Sequence, residues 1–172
     1  MAVATRSAGI LVYRRTPSAG SPAGSPDDRA GTAVEVLVGH LGGPFWARKQ
    51  EHAWSVPKGE HGADEEPLAA AHREFLEETG QPVPPGDLLD LGTVRQGGGK
   101  LVTLWAVEGD LDAAALVSNT FALEWPPRSG RTQEFPELDR FAWAEVGTAR
   151  ELLVKGQLPF LDRLLERLAT SA

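Results

Sequence analysis

The sequence predicts an α+β domain in which a mixed sheet is held between helices. Three observations carry this reading. Apolar, strand-like runs precede one central helix, further strands follow it, and an amphipathic helix closes the chain. Propensity alone suits several α+β folds. With 172 residues, 41% of them hydrophobic, the chain is expected to form one domain, residues 1–172, with enough material for a real core.

Ser7–Arg15, rich in Ile, Leu, Val and Tyr, reads as the first strand, and Ala33–His40 as its partner. Between them, residues 16–31 (TPSAGSPAGSPDDRAG) show no apolar periodicity and are expected to form a flexible hairpin insertion. Leu41–Ala53 reads as a loop, and Trp54–Pro57 as a short strand feeding Lys58 and Gly59. Asp64 is the expected N-cap of a helix over Leu68–Thr79. Pro67 stands in its first turn and Gly80 at its stop. Leu88–Arg95 and Leu101–Glu108 suit a hairpin around a Gly-rich tip. Ser118–Pro136 reads as irregular and Arg140–Ala144 as a last strand. Val146–Val154 and Pro159–Ala169 are amphipathic; in the second, Phe160, Leu161, Leu164, Leu165 and Leu168 follow a 3–4 repeat.

The central helix carries the chemistry. Gly59–Gly80 holds seven acidic residues against the single base Arg73, a local charge of −6 out of −7 for the whole chain. Two carboxylates about 4 Å apart repel by about 4 kcal/mol at an effective dielectric near 20, so such a cluster needs solvent or cations. Glu74 and Glu78 stand one helical turn apart with Glu77 beside them. Leu68, Ala71 and Phe75 form the adjoining apolar stripe. Three carboxylates on one face are the hard oxygen ligands that Mg²⁺ or Mn²⁺ prefers. A solvated acidic face is the competing reading of the helix taken alone.

Composition narrows the classes. There is no cysteine, which removes disulfides, zinc–thiolate sites and thiol nucleophiles and suits a cytoplasmic protein. A pI near 5.1 argues against stable nucleic-acid binding and against a membrane surface. No apolar run reaches membrane-spanning length.

Gly59, five residues, Glu65, seven residues, then Arg73-Glu74-Phe75-Leu76-Glu77-Glu78-Thr79-Gly80 is similar to the Nudix box, G-x5-E-x7-R-E-U-x-E-E-x-G-U. Every charged and glycine position matches; Gln81 replaces the final apolar residue. The chain thus resembles the Nudix hydrolases. That resemblance implies an α/β/α sandwich and cleavage of a phosphoanhydride by a water activated by Mg²⁺ or Mn²⁺. It assigns the metal to Glu74, Glu77, Glu78 and the carbonyl of Gly59. Arg73 and Glu65 match the pair that clamps loop to helix. A base or further ligand is expected outside the box, with Glu137 ahead of Glu134. Lys58 before Gly59 matches the Pro-Lys-Gly form of the box, which suggests substrates with several phosphates. Dinucleoside polyphosphates come first and nucleoside triphosphates, as in MutT-like enzymes, second. A ligand sensor without catalysis is the rival class, although it commonly lacks box carboxylates that are kept here.

Arg128 and Arg131 are candidate phosphate contacts, and Trp125, Trp46 or Phe45 candidate stacking partners for a base. Lys100 reads as a solvated residue at a hairpin tip. The four histidines show no metal-ligand spacing; His61 alone has a place near substrate. The oligomeric state, monomer or homodimer, is open.

Overall fold

The structure, a computed structural model, describes residues 4–17 and 32–171. Its core is a seven-stranded mixed sheet built from β1 (Arg6–Pro17), β2 (Thr32–Leu41), β3 (Trp54–Ser55), β4 (Lys58–His61), β5 (Leu89–Arg95), β6 (Leu101–Glu108) and β9 (Leu138–Glu145). The main order is β3-β2-β1-β6-β5, with β4 paired to β1 and β9 to β2. Among the described strand pairs, only β1 and β6 run parallel, in register from Arg6 opposite Leu101 to Tyr13 opposite Glu108.

Alternation along the strands sorts the core into two layers. On one face Ile10, Val12 and Leu37 pack with Ala70, Ala71 and Phe75 of α1 (Pro67–Thr79). On the other, Leu11, Tyr13, Val36 and Val38 pack beneath α2 (Val146–Leu152) and α3 (Leu158–Thr170), which contribute Ala149, Phe160, Leu161 and Leu164. Burial on both faces explains why β1 and β2 read as nearly continuous apolar runs. The fold is the expected α+β sandwich. Among the described residues, no helix is long and apolar enough to cross a membrane.

Several expectations need correction. Residue 64 does not cap α1. Glu66 holds the N-cap position in extended backbone, without a side-chain cap, because Pro67 starts the helix and disfavours helical geometry in the residue before it. The strand expected over Trp54–Pro57 is shorter, Trp54–Ser55, and the residues it feeds begin β4, with Lys58 opposite Gly9 and Gly59 opposite Ala8. Residues 118–136 are not irregular: β7 (Thr120–Glu124) and β8 (Thr132–Pro136) form a separate hairpin in which Phe121 faces Phe135. Thr16 and Pro17 belong to β1, opposite Ala33 and Thr32. The remainder of the expected insertion, residues 18–31, lies outside the described residues.

Candidate active site

A pocket of about 440 Å³ opens where β4 meets the C-terminal half of α1. Glu74, Glu77 and Glu78 enter from the helix, Lys58, Gly59 and Glu60 from β4, and Lys100 and Glu137 from the loops before β6 and β9. Leu41, Ser55 and Leu138 form a less charged wall. α1 ends at Gly80, whose φ of 73° is the left-handed conformation that glycine adopts freely, so Glu77 and Glu78 sit in the last turn.

Arg73 organises this end of the helix. Its Nε and Nη2 donate to the two oxygens of Glu65 at 2.8 and 2.9 Å, a forked pair. Nη1 reaches Glu74 at 2.6 Å and, more weakly, Glu77 at 3.4 Å. The Glu74 carboxylate lies against Gly59 so closely that a Cβ on Gly59 would overlap it. Any side chain at position 59 would therefore displace that carboxylate. The backbone N–H of Lys58 donates to Glu78 Oε2 at 2.9 Å, tying strand to helix.

Burial dominates the electrostatics. The Glu78 carboxyl is pushed up to about 8, chiefly because it is desolvated and partly because Glu74 and Glu137 are near; the Lys58 N–H and charge oppose this. Glu137 is raised by burial and then by Glu74. The Lys58 ammonium is lowered by burial and then by Lys100, against the pull of Glu78, Glu60 and Glu74. Glu65 is lowered by its hydrogen bonds from Arg73.

Among the described residues, no three His, Asp or Glu side chains already stand clustered as a metal cage. Glu74 and Glu77 face Arg73, and Glu78 faces the strand. The donor set still fits a hard divalent cation. Three carboxylates share one pocket with Glu137, and one of them, Glu78, is pushed up to about 8 chiefly by burial. A cation there would offset both the mutual repulsion and the desolvation.

Not every candidate meets at this pocket. Glu134 is exposed on β8, and Arg128 and Arg131 are exposed in the β7–β8 turn; none lines it. The chain bends at Glu137, between β8 and β9, with the Glu137 N–H bonded to Asn119 O at 2.9 Å, and Glu137 lines the pocket. Phe45 and Trp125 pack edge to face on each other, and Trp46 lies under Lys49. His40 is buried between Asp139 and the carbonyl of Lys49, and His61 bonds Gly62 O. The residue that sequence reasoning undervalued is Lys100. The parallel β1–β6 register carries it beside the pocket, where its Nζ meets Glu60 at 3.3 Å. Only a knowledge of strand pairing would have found it.

A larger, open cleft of about 610 Å³ lies at the far end of β1, beside Arg14, Asp110 and Trp143. Arg14, the one cation lining it among the described residues, is already engaged, since it bonds Glu35 and Asp110 and stacks 4.3 Å above Trp143. Convergent chemistry favours the smaller pocket.

The NUDIX domain profile matches residues 35–164. Among solved structures, the chain is similar to an Ap4A hydrolase from C. elegans in a binary complex. The identity is 19% and the TM-score 0.59, covering 95% of this chain and 98% of that one. It is also similar to a mutT/nudix family protein from Listeria innocua, at 16% identity and TM-score 0.58, covering 97% and 95%. A third likeness is to the NUDIX domain of Shewanella oneidensis NrtR complexed with ADP ribose, at 15% identity and TM-score 0.60, covering 98% and 90%. Among curated proteins, none matches.

Proposed function

We propose, from the membership of this chain in the Nudix family, that it is a pyrophosphohydrolase that uses Mg²⁺ or Mn²⁺ to hydrolyse dinucleoside polyphosphates. One observation carries the reading: Glu74, Glu78 and Glu137 share a pocket with two lysines, Lys58 and Lys100. Carboxylates suit a divalent cation, and the lysines suit a chain of phosphates longer than one anhydride.

Glu74, Glu77, Glu78 and the Gly59 carbonyl would hold the cation. When bound, it would neutralise anhydride oxygens and make a water more acidic. Lys58 and Lys100 bind non-bridging phosphate oxygens and hold the chain in line for attack. Water attacks phosphorus, the anhydride P–O bond breaks, and the proton released passes to Glu137. Burial raises the proton affinity of Glu137, which favours its taking that proton. Arg73 orients Glu74 and takes no proton, because its hydrogen bonds with Glu65 and Glu74 favour its charged form. Glu134, Arg128 and Arg131 have no part in this step.

The test is a panel of diadenosine tetraphosphate, ATP and ADP-ribose with Mg²⁺, products being resolved by chromatography. Fastest turnover of the first, giving two mononucleotides, is the expected result. Preferred cleavage of ATP to AMP and pyrophosphate would replace the substrate with nucleoside triphosphates. Binding without turnover would make the protein a sensor.

A further inference from the structure

The uncharged wall of the pocket holds a hydrogen-bond polarity set from a distant part of the chain. Gln157, fully buried just before α3, reaches the segment between β3 and β4. Its Oε1 accepts the Val56 N–H at 2.9 Å, and its Nε2 donates to Ser55 Oγ at 2.9 Å. The amide cannot be reversed, because a backbone N–H only donates and so demands the carbonyl oxygen. Ser55 Oγ in turn donates its own proton to Val56 O at 2.8 Å.

A hydroxyl has one proton and two lone pairs. Here the proton and one lone pair are taken inside the protein. One acceptor site is left, on a residue that lines the pocket together with Leu41 and Leu138. We infer that Ser55 offers the pocket an acceptor only, that Gln157 is the positioning residue holding it so, and that this wall receives a hydrogen-bond donor on the nucleoside. An exocyclic amine or a ribose hydroxyl meets the requirement. A phosphate oxygen, itself an acceptor, is turned away toward Lys58 and Lys100. The pocket thereby acquires a direction, with nucleoside at the Ser55 wall and phosphates at the lysines. The inference rests on the reading of this pocket as a nucleotide site.

Calorimetry with Mg²⁺ tests it through Kd, independently of turnover. The ligands are ATP, purine riboside 5′-triphosphate, which lacks the exocyclic amine, and the 2′-deoxy and 3′-deoxy forms of ATP. The wild-type protein is expected to lose about threefold to tenfold in affinity for whichever analogue lacks the donor that Ser55 accepts. Ser55→Ala should bind that analogue as the wild type does and bind ATP no better than the analogue. Gln157→Leu should narrow the same preference, whereas a merely structural role would weaken all four ligands alike. Equal Kd values for all four ligands in the wild type would overturn the inference and leave the nucleotide reading standing. So would an equal loss for all four in Ser55→Ala. Absence of binding by every ligand would overturn both.

Discussion

α1 and α3 are both 13 residues long, both begin near a proline, and lie on opposite faces of the sheet, yet they are held in different ways. α3 buries Phe160, Leu161 and Leu164, and its polar contacts are few, Arg163 with the carbonyls of Leu91 and Thr93 and Asp162 with Arg150. α1 buries one large side chain, Phe75, beside Ala70, Ala71 and Thr79, and leaves Leu76 half exposed. Its other face stacks like charges at i, i+3 and i+4, an arrangement that disfavours a helix. What α1 lacks in burial it gains from partners outside itself. Arg73 bonds Glu65, Lys58 N–H bonds Glu78, and the N–H groups of Val117 and Asn119 bond the carbonyls of Thr79 and Glu77. One helix serves stability and the other holds charge in place at a cost to stability.

Substituting one residue in each helix should separate the two roles. Glu78→Gln is expected to lower kcat by about 10²–10³-fold, the scale of losing one charge-stabilising group, while the metal-free protein melts no lower than wild type. Steady-state kinetics and calorimetric melting read the two quantities; retained turnover would remove Glu78 from the metal site. Phe160→Ala should do the reverse. It should cost about 3–5 kcal/mol of stability in urea unfolding and leave kcat per folded molecule near wild type.

Acidity sharpens the contrast. The Glu78 carboxyl ordinarily titrates near 4.5 and is raised to about 8 in the fold, so between those values the folded state keeps a proton that the unfolded chain has lost. Stability from this group is whole below about 4.5 and gone above about 8. Lys58, being lowered, acts oppositely and at more alkaline pH: there stability rises as the unfolded chain gives up its proton. In protein stripped by a chelator, the melting temperature should fall as pH rises from 5 to 8. Glu78→Gln should flatten that slope. An unchanged slope in the variant would assign the effect to other groups.

The same contrast explains what could be read without coordinates. The Glu65–Arg73 pair was implied by the family resemblance, and the end of α1 at Gly80 and the shared face of Glu74, Glu77 and Glu78 were legible because they lie within one helix. The apolar repeat of α3 was legible for the same reason. Gln157 reaching Ser55, 102 residues away, was not, because it depends on how α3 packs across the sheet. Lys100 meeting Glu60, 40 residues away, depends on a parallel pairing that periodicity cannot reveal. The β7–β8 hairpin was hidden because its strands alternate over only five residues each and are largely exposed, around a Pro- and Gly-rich turn. The preference for Glu137 over Glu134 came from the family resemblance and not from periodicity; in the fold Glu137 lines the pocket and Glu134 does not.

The smallest effects belong to the two lysines, and they measure how far the charged end of the pocket extends. Lys58→Ala should raise KM about tenfold for diadenosine tetraphosphate and less for ADP-ribose, since a buried charge-assisted hydrogen bond is the stronger kind. Lys100→Ala should raise KM by only about threefold, because an ion pair such as Lys100–Glu60, with Glu60 mostly exposed, contributes little beyond steering. That steering is screened by salt, so the Lys100→Ala effect should shrink between 50 and 300 mM ionic strength, on the order of what Debye screening allows. The Lys58→Ala effect should persist over the same range. If both fade together, Lys58 reaches substrate through solvent, and the phosphate chain lies outside the buried part of the pocket.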